Sequence, residues 1–175
     1  SVLRLFYIQN GQTLQTLNLA FTRVVSIEHI ELIVKHCTGL KEVDFSDCCL
    51  SSLSVNFLVE GITKNIEKFG LAYCGLGISD IDYYINILVS RCNKIKSLNI
   101  ALNSITDETL TSIMENLKNT LEELDVGTCC NITDSKLLEM KSMPKLIVLN
   151  YFNPWDSNYE DLKINLPQLN YNLSM

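Results

Sequence analysis

The side chains best able to carry covalent or metal chemistry in this 175-residue chain are seven cysteines and two histidines. The cysteines stand at Cys37, Cys48, Cys49, Cys74, Cys92, Cys129 and Cys130. None forms a C-x-x-C pair, and His29 and His36 do not complete a zinc spacing. An odd number also leaves one thiol over in any simple disulfide framework. His29 and His36 lie seven residues apart on one predicted helix, and a histidine in a last helical turn serves as a capping charge rather than as a base. Glu122 and Glu123 are neighbours in a predicted strand, so they point to opposite faces and form no acid–base pair. No G-x-S-x-G, phosphate-binding glycine loop or H-E-x-x-H is present. These residues predict a non-catalytic chain that uses neither a metal nor a cofactor.

The surrounding composition narrows the remaining classes. Apolar residues make up 47% and charged residues 19%, an ordinary foldable balance. Twenty acidic residues against fourteen basic ones leave a net charge of −6. That charge opposes binding to nucleic-acid phosphates or anionic lipid and leaves basic protein surfaces as natural partners. No apolar run reaches the roughly 18–20 residues that a membrane helix needs. No signal-peptide pattern opens at Ser1, and the start reads as cut from something longer.

What positions these residues is a repeat. The pattern L-x-x-L-x-L-x-x-C/N/T occurs at Leu14-Leu17-Leu19-Thr22, Leu40-Val43-Phe45-Cys48, Ile66-Phe69-Leu71-Cys74, Ile95-Leu98-Ile100-Asn103, Leu121-Leu124-Val126-Cys129 and Leu146-Leu149-Tyr151-Pro154. The first positions are 26, 26, 29, 26 and 25 residues apart, and a degenerate seventh unit begins at Leu169. Such a period predicts an α/β leucine-rich-repeat solenoid, a horseshoe arc with a concave parallel β-sheet and convex helices. The whole chain, 1–175, reads as one domain of six to seven repeats, truncated at its N-terminus. Strands are expected near 17–19, 43–45, 69–71, 98–100, 124–126 and 149–151. Leu17, Val43, Phe69, Leu98, Leu124 and Leu149 should then form one core ladder.

Helical spacing fills the intervals. In Thr106–Leu117 the residues Leu110, Ile113, Met114 and Leu117 share one face, with Thr106 and Asp107 as caps and Asp134 in the same role one unit later. Similar helices are expected over Ser26–His36, Ser52–Ile62, Ser79–Ser90, Thr133–Lys141 and Ser157–Asn165, and Val2–Ile8 should close an interrupted repeat. The longer third interval predicts an extra turn at Gly75-Leu76-Gly77. Cys48, Cys74 and Cys129 fall just after a strand, where the side chain turns in beneath the loop. Cys37 and Cys92 fall at helix ends. Buried structural thiols imply a reduced, intracellular protein of cytoplasm or nucleus. The sequons Asn131-Ile132-Thr133 and Asn172-Leu173-Ser174 point the other way, to secretion.

The cysteine-containing repeat is the most specific signal. The run Cys37-Thr38-Gly39-Leu40-Lys41-Glu42-Val43-Asp44-Phe45-Ser46-Asp47-Cys48 and the segment LEELDVGTCCNITD at Leu121–Asp134 resemble the repeats of F-box/leucine-rich-repeat proteins. Those proteins are the substrate receptors of SCF-type ubiquitin ligases. The closing units, Leu138–Leu146 and Leu166–Asn172, are similar to the last repeats of the S-phase kinase-associated receptor in that family. The resemblance implies a recognition module whose Skp1-like adaptor and cullin are engaged through an F-box that these residues do not include. It does not extend to the substrate, because the residues after each strand lack the expected basic and aromatic set. A leucine-rich-repeat scaffold without a ligase role, whether an inhibitor, a secreted recognition protein or an effector binding a host protein, is the alternative.

Partner-binding residues are expected on the concave face. One row there is Asn18, Asp44, Gly70, Asn99, Asp125 and Asn150, and the residues following each strand are Phe21, Asp47, Tyr73, Leu102, Thr128 and Asn153. Acidic groups interspersed with aromatics are common ingredients of an interface hot spot. The candidate contacts are therefore Asp44, Asp47, Tyr73, Asn99, Asp125, Asn150, Phe152 and Trp155, facing a protein substrate that presents a basic, extended or helical element.

Overall fold

A computed structural model describes residues 2–23, 25–74, 80–152 and 169. Helices and strands alternate along the chain: α1 (Val2–Asn10), β1 (Thr16–Asn18), α2 (Ile27–His36), β2 (Glu42–Asp44), α3 (Ser52–Gly61), β3 (Lys68–Gly70), α4 (Ile81–Arg91), β4 (Ser97–Asn99), α5 (Asp107–Leu117), β5 (Glu123–Asp125), α6 (Asp134–Glu139) and β6 (Val148–Asn150). Among the described residues the six strands form one parallel sheet in sequence order, β1 to β6. Each crossover passes through a helix, as parallel pairing requires. This is the leucine-rich-repeat arc.

The register pairs Leu17 with Val43, Val43 with Phe69, Phe69 with Leu98, Leu98 with Leu124 and Leu124 with Leu149. The predicted ladder is thus the observed one. Val43, Phe69, Leu98, Leu124 and Leu149 are all buried, and so are Phe45, Leu71, Ile100, Val126 and Tyr151 two residues later. Leu17 and Leu19, on the first strand, are only partly buried. Every strand begins one residue before the expected span, and only its middle residue faces the core. The apolar residue two positions on is buried beyond the strand, in the turn that follows.

Helix ends follow local chemistry. Thr106 caps α5 by accepting from Glu108 N–H at 3.3 Å, and Thr133 caps α6 by accepting from Lys136 N–H at 3.3 Å. Ser51 does the same for α3 through Ser54 N–H at 3.1 Å. His29 belongs to the start of its helix, where Nδ1 accepts the Ser26 N–H at 3.3 Å. The expected helix over Thr133–Lys141 divides into α6 and a 3₁₀ turn at Met140–Ser142, and Pro144 follows directly. Asp107 is not a cap. Its carboxylate accepts from Thr133 N–H at 2.8 Å and Thr133 Oγ1 at 2.7 Å, one repeat away. Asp82 likewise accepts from Thr106 N–H at 2.9 Å and from the Thr109 hydroxyl. The predicted turn at Gly75–Gly77 and the helix over Ser157–Asn165 lie outside the described residues.

All seven cysteines are free thiols, and only Cys49 and Cys130 are exposed. The slot after each strand has a common task. Cys48 Sγ donates to Leu19 O at 2.9 Å, Cys74 Sγ to Phe45 O at 3.1 Å and Cys129 Sγ to Ile100 O at 3.5 Å. In the fourth repeat Asn103 Nδ2 donates to Leu71 O at 2.9 Å. Each acceptor is the equivalent carbonyl of the preceding repeat. The slot therefore selects a compact donor, and cysteine and asparagine both meet that need.

Candidate functional site

The concave face is built from the outward residues of three-residue strands and from the turns that end them. Its first row alternates in charge and polarity: Thr16, Glu42, Lys68, Ser97, Glu123 and Val148. Lys68 Nζ sits 3.7 Å from Glu42 Oε1, and Ser97 Oγ donates to Glu123 Oε2 at 2.9 Å. The Lys68–Glu42 pair is solvent-exposed, so it contributes about 0–1 kcal/mol.

The second row is structural as well as exposed. Asn18, Asp44, Asn99 and Asp125 each turn a side-chain oxygen back onto the backbone two residues on. Oδ1 accepts from Ala20 N–H at 2.9 Å, Ser46 N–H at 2.9 Å, Ala101 N–H at 3.2 Å and Gly127 N–H at 3.0 Å respectively. These are Asx turns that end each strand. Gly70 interrupts the row, and a neighbour supplies the missing acceptor: Ala72 N–H donates to Ser46 Oγ at 3.1 Å. A Cβ on Gly70 would stand 2.4 Å from Asp44 Oδ1, so the glycine leaves the space that this carboxylate occupies. Asp44 and Asp125 thus hold the turns, and replacing either perturbs the fold along with any contact it makes. At the last strand Asn150 Nδ2 donates to Asp125 Oδ2 at 3.3 Å, while Asn150 Oδ1 is buried without a hydrogen-bond partner among the described residues.

The residues that follow the turns form the rim of the sheet. Phe21, Asp47, Tyr73, Leu102 and Thr128 all have left-handed backbone, with φ of 63°, 54°, 55°, 57° and 58°. This conformation costs a residue carrying a Cβ roughly 1–2 kcal/mol and favours glycine, asparagine or aspartate. It is held by the next repeat. Phe21 N–H donates to Ser46 O at 2.8 Å, Asp47 to Ala72 O at 2.9 Å, Tyr73 to Ala101 O at 2.9 Å and Leu102 to Gly127 O at 2.8 Å. The stack dictates the backbone, and the side chain at each rim position is left facing solvent. Phe21 is 76% exposed, Tyr73 44% and Leu102 45%.

These groups gather into two regions. A cavity of about 430 Å³ is bordered by Phe21, Tyr73, Leu102, Asp44, Asp47 and Asn99. A smaller trough of about 240 Å³ holds Asn99, Asp125 and Asn150 with Glu123. Of the residues singled out from the sequence, Asp44, Asp47, Tyr73 and Asn99 meet in the first, and Asn99, Asp125 and Asn150 meet in the second. Phe152 is exposed just after the last strand, three repeats from Tyr73, or about 14 Å at ordinary strand spacing. Trp155 lies outside the described residues. Sequence reasoning placed Phe21 and Leu102 in the rim row without selecting them as contacts. The signal was a bulky apolar residue directly before the slot position, Thr22 after Phe21 and Asn103 after Leu102.

The face offers acceptors, apolar anchors and negative charge. Glu42, Asp44, Asp47, Glu123 and Asp125 set five carboxylates against the single ammonium of Lys68. Asp47 forms no hydrogen bond or ion pair through its carboxylate among the described residues. The thiols beneath the rim are poor nucleophiles. Burial pushes Cys48 up to about 11 and Cys129 up to about 12, and raises Cys74 as well. A thiol that stays protonated at neutral pH does not attack.

A family model described as Leucine Rich repeat matches residues 91–114. No curated protein sequence matches. Among solved structures, the leucine-rich-repeat protein LegL7 of Legionella pneumophila is similar at a TM-score of 0.60 and 17% identity, over 95% of this chain and 58% of that one. The tropomodulin C-terminal domain of Caenorhabditis elegans is similar at 0.52 and 15% identity, over 95% and 90%. A chain from the yeast Rad7–Elc1 complex is similar at 0.54 and 16% identity, over 84% and 44%. The chain therefore spans little more than half of LegL7 and less than half of the chain matched in the Rad7–Elc1 complex. At these identities the likeness is one of fold.

Proposed function

We propose that this chain is a protein-recognition arc and serves as the substrate-recognition part of an F-box protein in an SCF-type ubiquitin ligase. The observation that carries the reading is the cysteine repeat and its repeated use. Cys48, Cys74 and Cys129 bridge each repeat to the one before, and Cys37 and Cys92 close helices α2 and α4 as buried C-caps. That repeat resembles the one found in F-box receptors. The fold-level similarity to a chain of the Rad7–Elc1 complex is compatible with it.

In this role the chain supplies specificity and no chemistry of its own. The concave face holds a protein substrate by a basic element, and a Skp1-like adaptor and cullin are recruited through an F-box outside these residues. Capture places a substrate lysine beside a charged E2 enzyme, a proximity effect. The protein then works in the cytoplasm or nucleus, where its seven thiols stay reduced.

A second reading, a secreted binding scaffold with no ligase role, is favoured by one observation: Asn131 of the sequon Asn131-Ile132-Thr133 is exposed. Expression of the full natural protein with an affinity tag separates the two. Stoichiometric co-purification of a Skp1-like adaptor and a cullin supports the ligase reading. A processed leader, a glycan on Asn131 and no adaptor would replace it with the scaffold.

A further inference from the structure

The rim after strands β1, β3 and β4 carries bulky apolar side chains where the backbone favours glycine or asparagine. Phe21, Tyr73 and Leu102 each take left-handed φ, each has its backbone held by a hydrogen bond to the next repeat, and each remains exposed. Their backbone positions are therefore preset, and little loop ordering remains for a ligand to impose. The 430 Å³ cavity between them is larger than either trough on the sheet itself, about 240 Å³ each. Its charged lining is Asp44 and Asp47, with no lysine or arginine. Asp44 commits one oxygen to Ser46 N–H, whereas Asp47 offers its carboxylate without an internal partner.

We propose that this rim binds an extended peptide segment of a partner protein, seating one bulky apolar side chain among Phe21, Tyr73 and Leu102 and pairing an adjacent lysine or arginine with Asp47. The inference rests on the recognition reading above and names the class of segment recognised. Charge selects this occupant: an acidic segment would meet two carboxylates and five along the whole face, against a single lysine. The rim residues of four successive repeats span about 14 Å, the length of four or five extended residues.

Panning a phage library of random dodecapeptides on the intact protein, and titrating the enriched peptides by fluorescence anisotropy, tests this. The enriched peptides should place an aromatic or large aliphatic residue next to lysine or arginine. The triple substitution Phe21→Asn, Tyr73→Asn, Leu102→Asn keeps a residue that accepts left-handed backbone, so the fold is retained. It should weaken binding about 10- to 100-fold, the range set by one large buried apolar side chain. Asp47→Asn alone should weaken it about 2- to 5-fold and flatten its salt dependence. Peptides indifferent to these changes but lost on Glu123→Gln would overturn the rim site and leave concave-face recognition standing. Enrichment of acidic peptides, or none, would overturn the rim proposal, while adaptor co-purification judges the ligase reading separately. Concentration-dependent dimerisation abolished by the triple substitution would make a second copy the occupant and overturn it too.

Discussion

Asn103 gives the sharpest test of how the repeats are joined. It occupies the slot that Cys48, Cys74 and Cys129 fill elsewhere and is buried. Among the described residues its amide makes three hydrogen bonds: Nδ2 donates to Leu71 O and to Ile100 O, both at 2.9 Å, and Oδ1 accepts from Cys74 N–H at 3.2 Å. At about 1 kcal/mol net for each bond, Asn103→Ala should cost about 3 kcal/mol. For a chain of this size that lowers Tm by about 6–12 °C. Asn103→Cys keeps a donor for Leu71 O, as the other repeats do, and loses the second donor to Ile100 O and the acceptor for Cys74 N–H, so it should cost about 2 kcal/mol. Asn103→Asp has nearly the same shape but brings a carboxylate against two carbonyl oxygens, and should be worse than alanine at neutral pH. The order of stability is therefore Asn, Cys, Ala, Asp, read from urea midpoints followed by circular dichroism. If alanine costs below about 1 kcal/mol, or cysteine costs as much as alanine, the slot does not work by donating between repeats.

Three further outcomes follow from the rim and the thiols. Phe21→Gly relieves the left-handed backbone at the most exposed rim residue and should stabilise by about 0.5–1 kcal/mol, seen as a higher urea midpoint. In the native protein near pH 8, iodoacetamide should modify Cys49 and Cys130 rapidly, and mass spectrometry should find all seven cysteines modified only after denaturation. Stability should hold below the ordinary thiol value of 9.0 and fall above it. Unfolded thiols ionise from there, while folded Cys37 and Cys48 stay protonated to about 11 and Cys129 to about 12. Each such thiol contributes a loss of about 1.4 kcal/mol per pH unit in that window, measurable as a fall in urea midpoint.

The repeat architecture was legible because its signal is local and periodic. A strand residue facing the core must be apolar in every unit, so Leu17, Val43, Phe69, Leu98, Leu124 and Leu149 announce their own ladder, and the observed register pairs them. The helices were legible for the same reason: Leu110, Ile113 and Leu117 recur at helical spacing and are buried on α5. The slot residues were legible as buried, since a compact side chain after each strand turns inward.

What each polar side chain holds was decided only when repeats 25 to 29 residues apart came into register. Asp107 reads locally as a helix cap, yet its carboxylate reaches Thr133 in the next repeat. Asp44 reads as a partner contact on the concave face, yet its carboxylate ends a strand and leans over Gly70, while Ser46 supplies the acceptor that Gly70 lacks. The left-handed rim is the clearest case. Nothing in the residue types of Phe21, Tyr73 or Leu102 favours positive φ, and their own propensities oppose it. The conformation exists because each of their N–H groups finds a carbonyl on the following repeat, and that partner is present only once the repeats are stacked.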